Sequence, residues 1–133
     1  MRLEVTQRAD LAVRALVVLA RTSARLKSGQ LAAALGTTPG YVPQVMAPLV
    51  QAGWVSSEPG PTGGYALVVR PDQLSVLAVV EAVDGPTDNG HCVLADQPCS
   101  HRQPCVLHAA WARARGELVG ALETMTVAEA RAW

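Results

Sequence analysis

The residues most able to do chemistry are crowded into one short stretch. All three cysteines and all three histidines of the chain fall within residues 91–108, HCVLADQPCSHRQPCVLH. The spacing is Cys92, six residues, Cys99, five residues, Cys105, two residues, His108. Thiolates are soft donors suited to zinc and to iron–sulfur clusters. Three cysteines and one histidine supply the four donors that either centre needs. Gaps of five or six residues let a loop bring its thiolates together. Cys105 and His108, three apart at the start of an expected helix, should share a face. His91 and His101 read as exposed loop residues, and Trp111 as an apolar contact between helices or subunits.

Four uses of this stretch stand side by side. Inert structural cysteines usually lie in apolar runs, whereas these lie among Pro, Asp, Ser and Gln. Structural zinc has its donor count but lacks the tight Cys-x2-Cys pair that zinc modules favour. A thiol–disulfide switch without metal leaves the third cysteine over, because three cannot close a disulfide framework within one chain. An iron–sulfur cluster, with the same donor count as zinc, is the fourth.

The rest of the chain reads as the elements that position this loop. Residues 9–22 form a largely apolar helix edged by Arg14 and Arg21. Ser28 is the expected cap of a short helix stopped by Gly36. A second helix should begin with Thr38 as cap and Pro39 in first position, and end at Gly53. Within it Val42, Val45, Met46 and Leu49 should face the core, and Pro48 implies a kink or tight packing. WVSS and YALVV have strand composition, with EPGPTGG as the turn between them. Three helices and a hairpin in that order make a winged helix. GPTGGY leads into a strand, not a helix, so it is no phosphate loop; Gly63 and Gly64 should serve φ > 0.

A helix from about Ser75 to Val83 follows, and then an aperiodic segment from 86 to 104. Helical pattern resumes at CVLHAAWARARGELVGALETM. There Ala109, Leu118, Val119 and Leu122 form an apolar stripe, and Arg113, Arg115 and Glu117 suit an exposed face. TVAE at 126–129 fits a capping box opening a last short helix. The fold class expected is mainly α with a small β-hairpin wing, a winged helix-turn-helix followed by a long C-terminal helix. The expected division is 1–72 and 73–133, the cysteine loop spanning 86–108.

Half of the 133 residues are apolar and 17% are charged, enough for a real core. No apolar run is long enough to span a membrane. MRLEVTQRAD lacks the features of a signal peptide, so the cytoplasm is the expected compartment. Net charge is zero but uneven: residues 1–70 carry seven basic and three acidic side chains, residues 71–133 four and eight. Such asymmetry is compatible with one half meeting a polyanion. Nothing outside the Cys/His stretch pairs a nucleophile with a base, so an enzyme is not expected.

The initial MRL, DLAVRALVVLA, YVPQVMAPLVQAGWV, GPTGGYAL, VVEAVDGP and the three-cysteine loop together resemble the IscR/NsrR-type, or Rrf-type, bacterial winged-helix regulators. The resemblance covers nearly the whole chain. It implies a homodimeric transcription regulator, a repressor on a palindromic operator in double-stranded DNA. Dimerisation would use the C-terminal helix. The cysteine loop would hold an iron–sulfur cluster that senses nitric oxide, redox state or cluster supply. By the same resemblance Cys92, Cys99 and Cys105 are ligands. His108 is the fourth, in the IscR-like place, for a [2Fe–2S] cluster. Asp10, reaching across from the other subunit in the NsrR-like manner, is the alternative, for a [4Fe–4S] cluster. Thr38, Tyr41, Gln44 and the wing's Gly63 fall where relatives contact DNA. The chain departs from the pattern twice: the first cysteine gap is six residues, not five, and Glu58-Pro59 stands where many relatives have an arginine before the wing glycines. A zinc-stabilised or thiol-switch winged-helix adaptor is the alternative function.

Overall fold

The computed structural model describes residues 4–88 and 104–130. Its helices are α1 (Gln7–Ala20), α2 (Ser28–Leu35), α3 (Val42–Gln51), α4 (Val76–Asp84) and α5 (His108–Thr124). Strands β1 (Val55–Glu58) and β2 (Gly64–Leu67) form an antiparallel hairpin between α3 and α4. This is the expected helical winged-helix plan. The register pairs Val55 with Leu67 and Glu58 with Gly64. A bridge between Leu26 and Tyr65 adds the segment before α2 to the hairpin's other edge.

The core follows from α1, which presents apolar side chains almost all round. Ala9, Ala12, Ala15 and Leu16 are inaccessible to solvent or nearly so, because α2, α3 and α4 surround them. Val42, Val45, Met46 and Leu49 of α3 are fully buried, as their helical spacing requires. One continuous cluster runs from Ala9 through α4 to Val127 and Ala130.

The ends of α1 and α4 are tied together. The Thr6 hydroxyl accepts from the Ala9 amide and so caps α1, while the same hydroxyl and the Thr6 amide donate to Asp84 at the end of α4. Arg8 donates to the Val83 carbonyl at 2.8 Å. Thr6→Ala should therefore cost about 1–2 kcal/mol, the upper part of the range for a lost cap. Chemical denaturation checks it, and an unchanged midpoint would remove this cap from the account.

Several boundaries differ from the sequence expectation, each for a physical reason. Lys27, not Ser28, is the N-cap of α2, and its amide donates to Gln30 Oε1 at 2.9 Å. Helix α3 starts at Val42 with Tyr41 as N-cap, so Thr38 does not cap it and Pro39 precedes it. A helix begun at Pro39 would need an N–H at Pro43 to reach the Pro39 carbonyl, and proline has none. The chain turns instead, with the Tyr41 amide on Thr38 O, and the α-type ladder begins at the Val45 amide on Tyr41 O. Pro48 lies inside α3. The TVAE capping box exists, with Thr126 N on Glu129 Oε2 and Glu129 N on Thr126 Oγ1. It opens a turn and no helix. Thr126 is bridged to Ser75, and Val76 N and Val127 N bond to Met125 O and Leu74 O, which holds the segment extended up to the turn.

Candidate nucleic-acid interface and cysteine-loop site

The winged helix presents one side of α3 outward. Its buried residues, Val42, Val45, Met46 and Leu49, occupy one face, so Pro43, Gln44, Ala47 and Gln51 fall on the other, and all four are exposed. Gln44 therefore stands free at the start of the helix. Thr38 is exposed in the turn before it. Tyr41 is half-buried and packs against the core.

The wing beside α3 is held by an arginine from the loop before α2. Arg25 donates to the Ser56 carbonyl at 3.4 Å and the Gly64 carbonyl at 3.1 Å, and its guanidinium meets Glu58 Oε1 at 3.2 Å. The turn tip, Pro59 to Thr62, is exposed. Gly63, expected to need φ > 0, does not have it; it is buried, and an added Cβ would press on the carbonyls of Glu58 and Pro59. Its role is to let the turn close on itself. Gly64 does have φ +124°.

The cysteine loop leaves α4 and enters α5. Cys92 and Cys99 lie outside the described residues, as do His91 and His101. The two roots of the loop are described. At the first, Glu81 accepts from the Thr87 amide at 3.0 Å, and Asp88 pairs with Arg115 of α5 at 3.4 Å. Arg115, expected on an exposed face, is half-buried for this reason. At the second, Cys105 is half-buried and its carbonyl accepts from the His108 amide at 3.1 Å. Cys105 thus sits in the turn before α5 and not in the helix, but the turn brings it to His108. Of the expected ligands, Cys105 and His108 are described, and this backbone bond joins them.

Among the described residues no side chain caps α5, whose N-cap is Leu107 and whose first turn lacks an acid. Its positive end would favour the anionic charge of thiolates or of a cluster held by them. Trp111, one turn on, is half-buried, and its Nε1 meets no acceptor among the described residues. Trp111, Arg115 and Thr87 line a cavity of about 100 Å³ beside the loop roots. A soft thiol, an imidazole, an open helix N-terminus and a waiting donor suit an anionic metal centre. Asp10 is elsewhere. It pairs with Arg14 at 3.8 Å and lines a cleft of about 680 Å³ with Val80, Leu122 and Met125. Leu122 lies fourteen residues, about 21 Å of helix, beyond His108. Within one subunit Asp10 and His108 thus sit toward opposite ends of α5.

A family model described as an iron-dependent transcriptional regulator, Rrf2, matches residues 5–131. The chain belongs to the Rrf2 family. Among curated relatives, the HTH-type transcriptional regulator IscR of Aliivibrio salmonicida is 31% identical over 94 residues, 71% of this chain and 55% of that protein. IscR of Escherichia coli is 33% identical over 94 residues, 71% of this chain and 57% of that protein. The chain thus spans little more than half the length of these relatives. Among solved structures, CymR, the global cysteine regulator of B. subtilis, superimposes with a TM-score of 0.76 at 23% identity, covering 96% of this chain and 95% of that one. IscR of T. potens gives 0.74 at 22% identity, covering 96% and 85%. These two likenesses concern the fold. The relatives carry the names of regulators and not of enzymes, in line with the absence of a nucleophile–base pair in the sequence. No helix among the described residues is long and apolar enough to cross a membrane.

Three side chains that hold the wing and the loop root of this Rrf2 chain carry no local signal in its sequence. Arg25, Asp88 and Arg115 act across 33, 27 and 27 residues of sequence respectively. No local pattern marks such pairs. The sequence signal nearest to them was Glu58 in the wing, which has a purpose once its partner Arg25 is seen.

Proposed function

We propose that this chain is a subunit of a homodimeric, DNA-binding transcription repressor, governed by an iron–sulfur cluster in the 86–108 loop, and that it acts in the cytoplasm. The observation that carries the reading is the exposed outer face of α3 beside an anchored wing, in a chain matched by the Rrf2 family over residues 5–131. Residues 1–72 would bind the operator and residues 73–133 would sense and dimerise. This division is one of roles, since the core is continuous across it.

Helix α5 supports the dimer. None of its residues is buried, and Leu118, Val119 and Leu122 are only half covered by α4. A helix of 17 residues with an unfilled apolar face gains burial from a second copy. A palindromic operator would then match the two-fold axis, with half-sites spaced to fit the two α3 helices.

In the ligand set proposed, Cys92, Cys99, Cys105 and His108 would hold a [2Fe–2S] cluster. Asp10 of the other subunit is the alternative fourth ligand, with [4Fe–4S]. The cluster, when bound, would supply a centre that nitric oxide, oxidants or iron shortage can alter or remove. The chain's own residues would carry the change onward. The Asp88–Arg115 pair and the Cys105–His108 turn anchor the loop to α5. Thr6 and Arg8 join the end of α4 to α1. A shift of the loop roots would thus move the dimer helix relative to the α1–α3 body, changing the spacing of the two reading helices by population shift.

On DNA, Gln44 would read a base edge, with adenine its natural bidentate partner. Thr38 would meet phosphate and Tyr41 would brace the helix at the groove. Gly63 would shape the wing turn. Gln44→Ala should weaken specific binding about tenfold or more while leaving non-specific binding nearly unchanged, as loss of a bidentate base contact predicts. Titration of both duplex types by fluorescence anisotropy decides it, and equal loss on both would refute base reading.

A further inference from the structure

From Ser28 to Val69 the chain contains no lysine or arginine. That stretch includes α2, α3 and both strands of the wing. Its one charged residue is Glu58, which is paired with Arg25. The basic side chains outside it are mostly committed to their own neighbours. Arg8 bonds Val83 O, Arg25 holds the wing, and Arg70 is bidentate on Asp72. Arg14 pairs with Asp10. Arg21 and Lys27, both exposed and flanking the loop before α2, remain for phosphates among the described residues of the winged helix, while the exposed Arg113 lies away on α5. The net positive charge of residues 1–70 is therefore not carried by α2, α3 or the wing strands.

What the outer face of α3 does offer is two amides around apolar surface. Gln44 and Gln51 flank Ala47, and Pro43 lies one turn before Ala47, all exposed. Neutral amides pair with adenine, and small apolar side chains pack on the thymine C5-methyl group. Guanine is most often read by Arg or Lys, and this face has neither.

We propose that the reading face is specific for A·T pairs in the major groove, with Gln44 on adenine and Pro43 and Ala47 against thymine methyls, and that phosphate neutralisation contributes little. This inference rests on the DNA-binding reading above. It differs from that reading in what it requires: half-sites rich in A·T under α3, sensitivity to a single methyl group, and a shallow salt dependence. With two such cations among the described residues of each winged helix, a dimer would release about four counterions' worth of charge there, so log K should fall against log [salt] with a slope near −4.

The test is selection of duplexes from a random DNA pool by the full chain in its anaerobically prepared form, followed by thymine-to-uracil replacement in the selected site. Uracil keeps every hydrogen-bonding group and removes only the methyl. Enriched half-sites with adjacent A·T pairs, a loss of about fourfold per methyl removed under α3, and the shallow slope are expected, the fourfold following from roughly 0.8 kcal/mol per buried carbon. Enriched sites with G·C under α3, indifference to uracil, or a slope steeper than about −7 would overturn the inference and leave the regulator reading in place. Failure to enrich any duplex would overturn both.

Discussion

Cys105→Ala is expected to abolish the visible absorbance of the anaerobically purified protein while leaving its helical content and dimeric state unchanged. The geometry makes this a clean test of ligation. The turn that seats Cys105 is closed by the His108 amide on the Cys105 carbonyl, a backbone bond that alanine preserves. The side chain is half-buried at a loop root and is not part of the buried core. Loss of colour with an intact fold would therefore report a lost thiolate. Cys99→Ala should behave in the same way, and an unaltered spectrum for either would remove it from the ligand set. The fourth ligand separates in the same assay. His108→Ala should change or abolish the spectrum if His108 ligates, and Asp10→Ala should leave it alone. The reverse result would assign the site to Asp10 of the other subunit.

Gly64→Ala is expected to cost about 3 kcal/mol, the combined effect of a backbone conformation that L residues rarely adopt and a collision with main chain. At φ +124° an added Cβ would lie 2.6 Å from the Leu26 carbonyl oxygen. Relief requires parting the Leu26–Tyr65 bridge, whose bonds are 2.8 and 2.9 Å long, and moving the Gly64 carbonyl away from Arg25. The wing would lose its anchor, so specific DNA affinity should fall more than stability alone explains. Gly60→Ala is the control. Its φ is +93°, but its Cβ would meet nothing, so only about 1 kcal/mol is expected. Thermal unfolding of the pair settles the matter; equal losses would mean that the Leu26 contact does not constrain the wing.

The parts of this molecule legible in its sequence were those set by local periodicity. The inner face of α3 was readable because Val42, Val45, Met46 and Leu49 repeat at helical spacing, and all four are fully buried. The stops at Gly36 and Gly53 were readable because both adopt positive φ after a helix, where glycine alone is unstrained. What failed was decided at long range or by a missing atom. Thr38 looked like a cap until the absent N–H of Pro43 is counted. TVAE had the bonds of a capping box, yet Leu74 and Ser75 claimed the neighbouring backbone. Ala109 fits the apolar stripe of α5 by spacing yet is exposed, whereas Leu118, Val119 and Leu122 are half-buried. The charge asymmetry is real as arithmetic, but two of the arginines concerned, Arg8 and Arg25, are spent on carbonyls within the fold, which composition alone does not reveal.

For the site, donor chemistry was the legible part. The spacing from Cys92 to His108 offers a metal-binding loop as one of several uses, and the structure describes the roots of that loop: the His108 amide bonded to the Cys105 carbonyl and Asp88 tied to Arg115. That no described side chain caps α5 or accepts from Trp111 Nε1 could not have been foreseen from composition.

The central claim is that the loop holds an iron–sulfur cluster, and the most direct test is iron and sulfide analysis of anaerobically purified full chain together with its visible spectrum. The account predicts a coloured protein with about two iron and two sulfide per chain, the content of a [2Fe–2S] centre. A colourless protein that contains zinc or no metal, and that stays so after anaerobic reconstitution with iron and sulfide, would contradict it and return the cysteine loop to zinc or thiol chemistry.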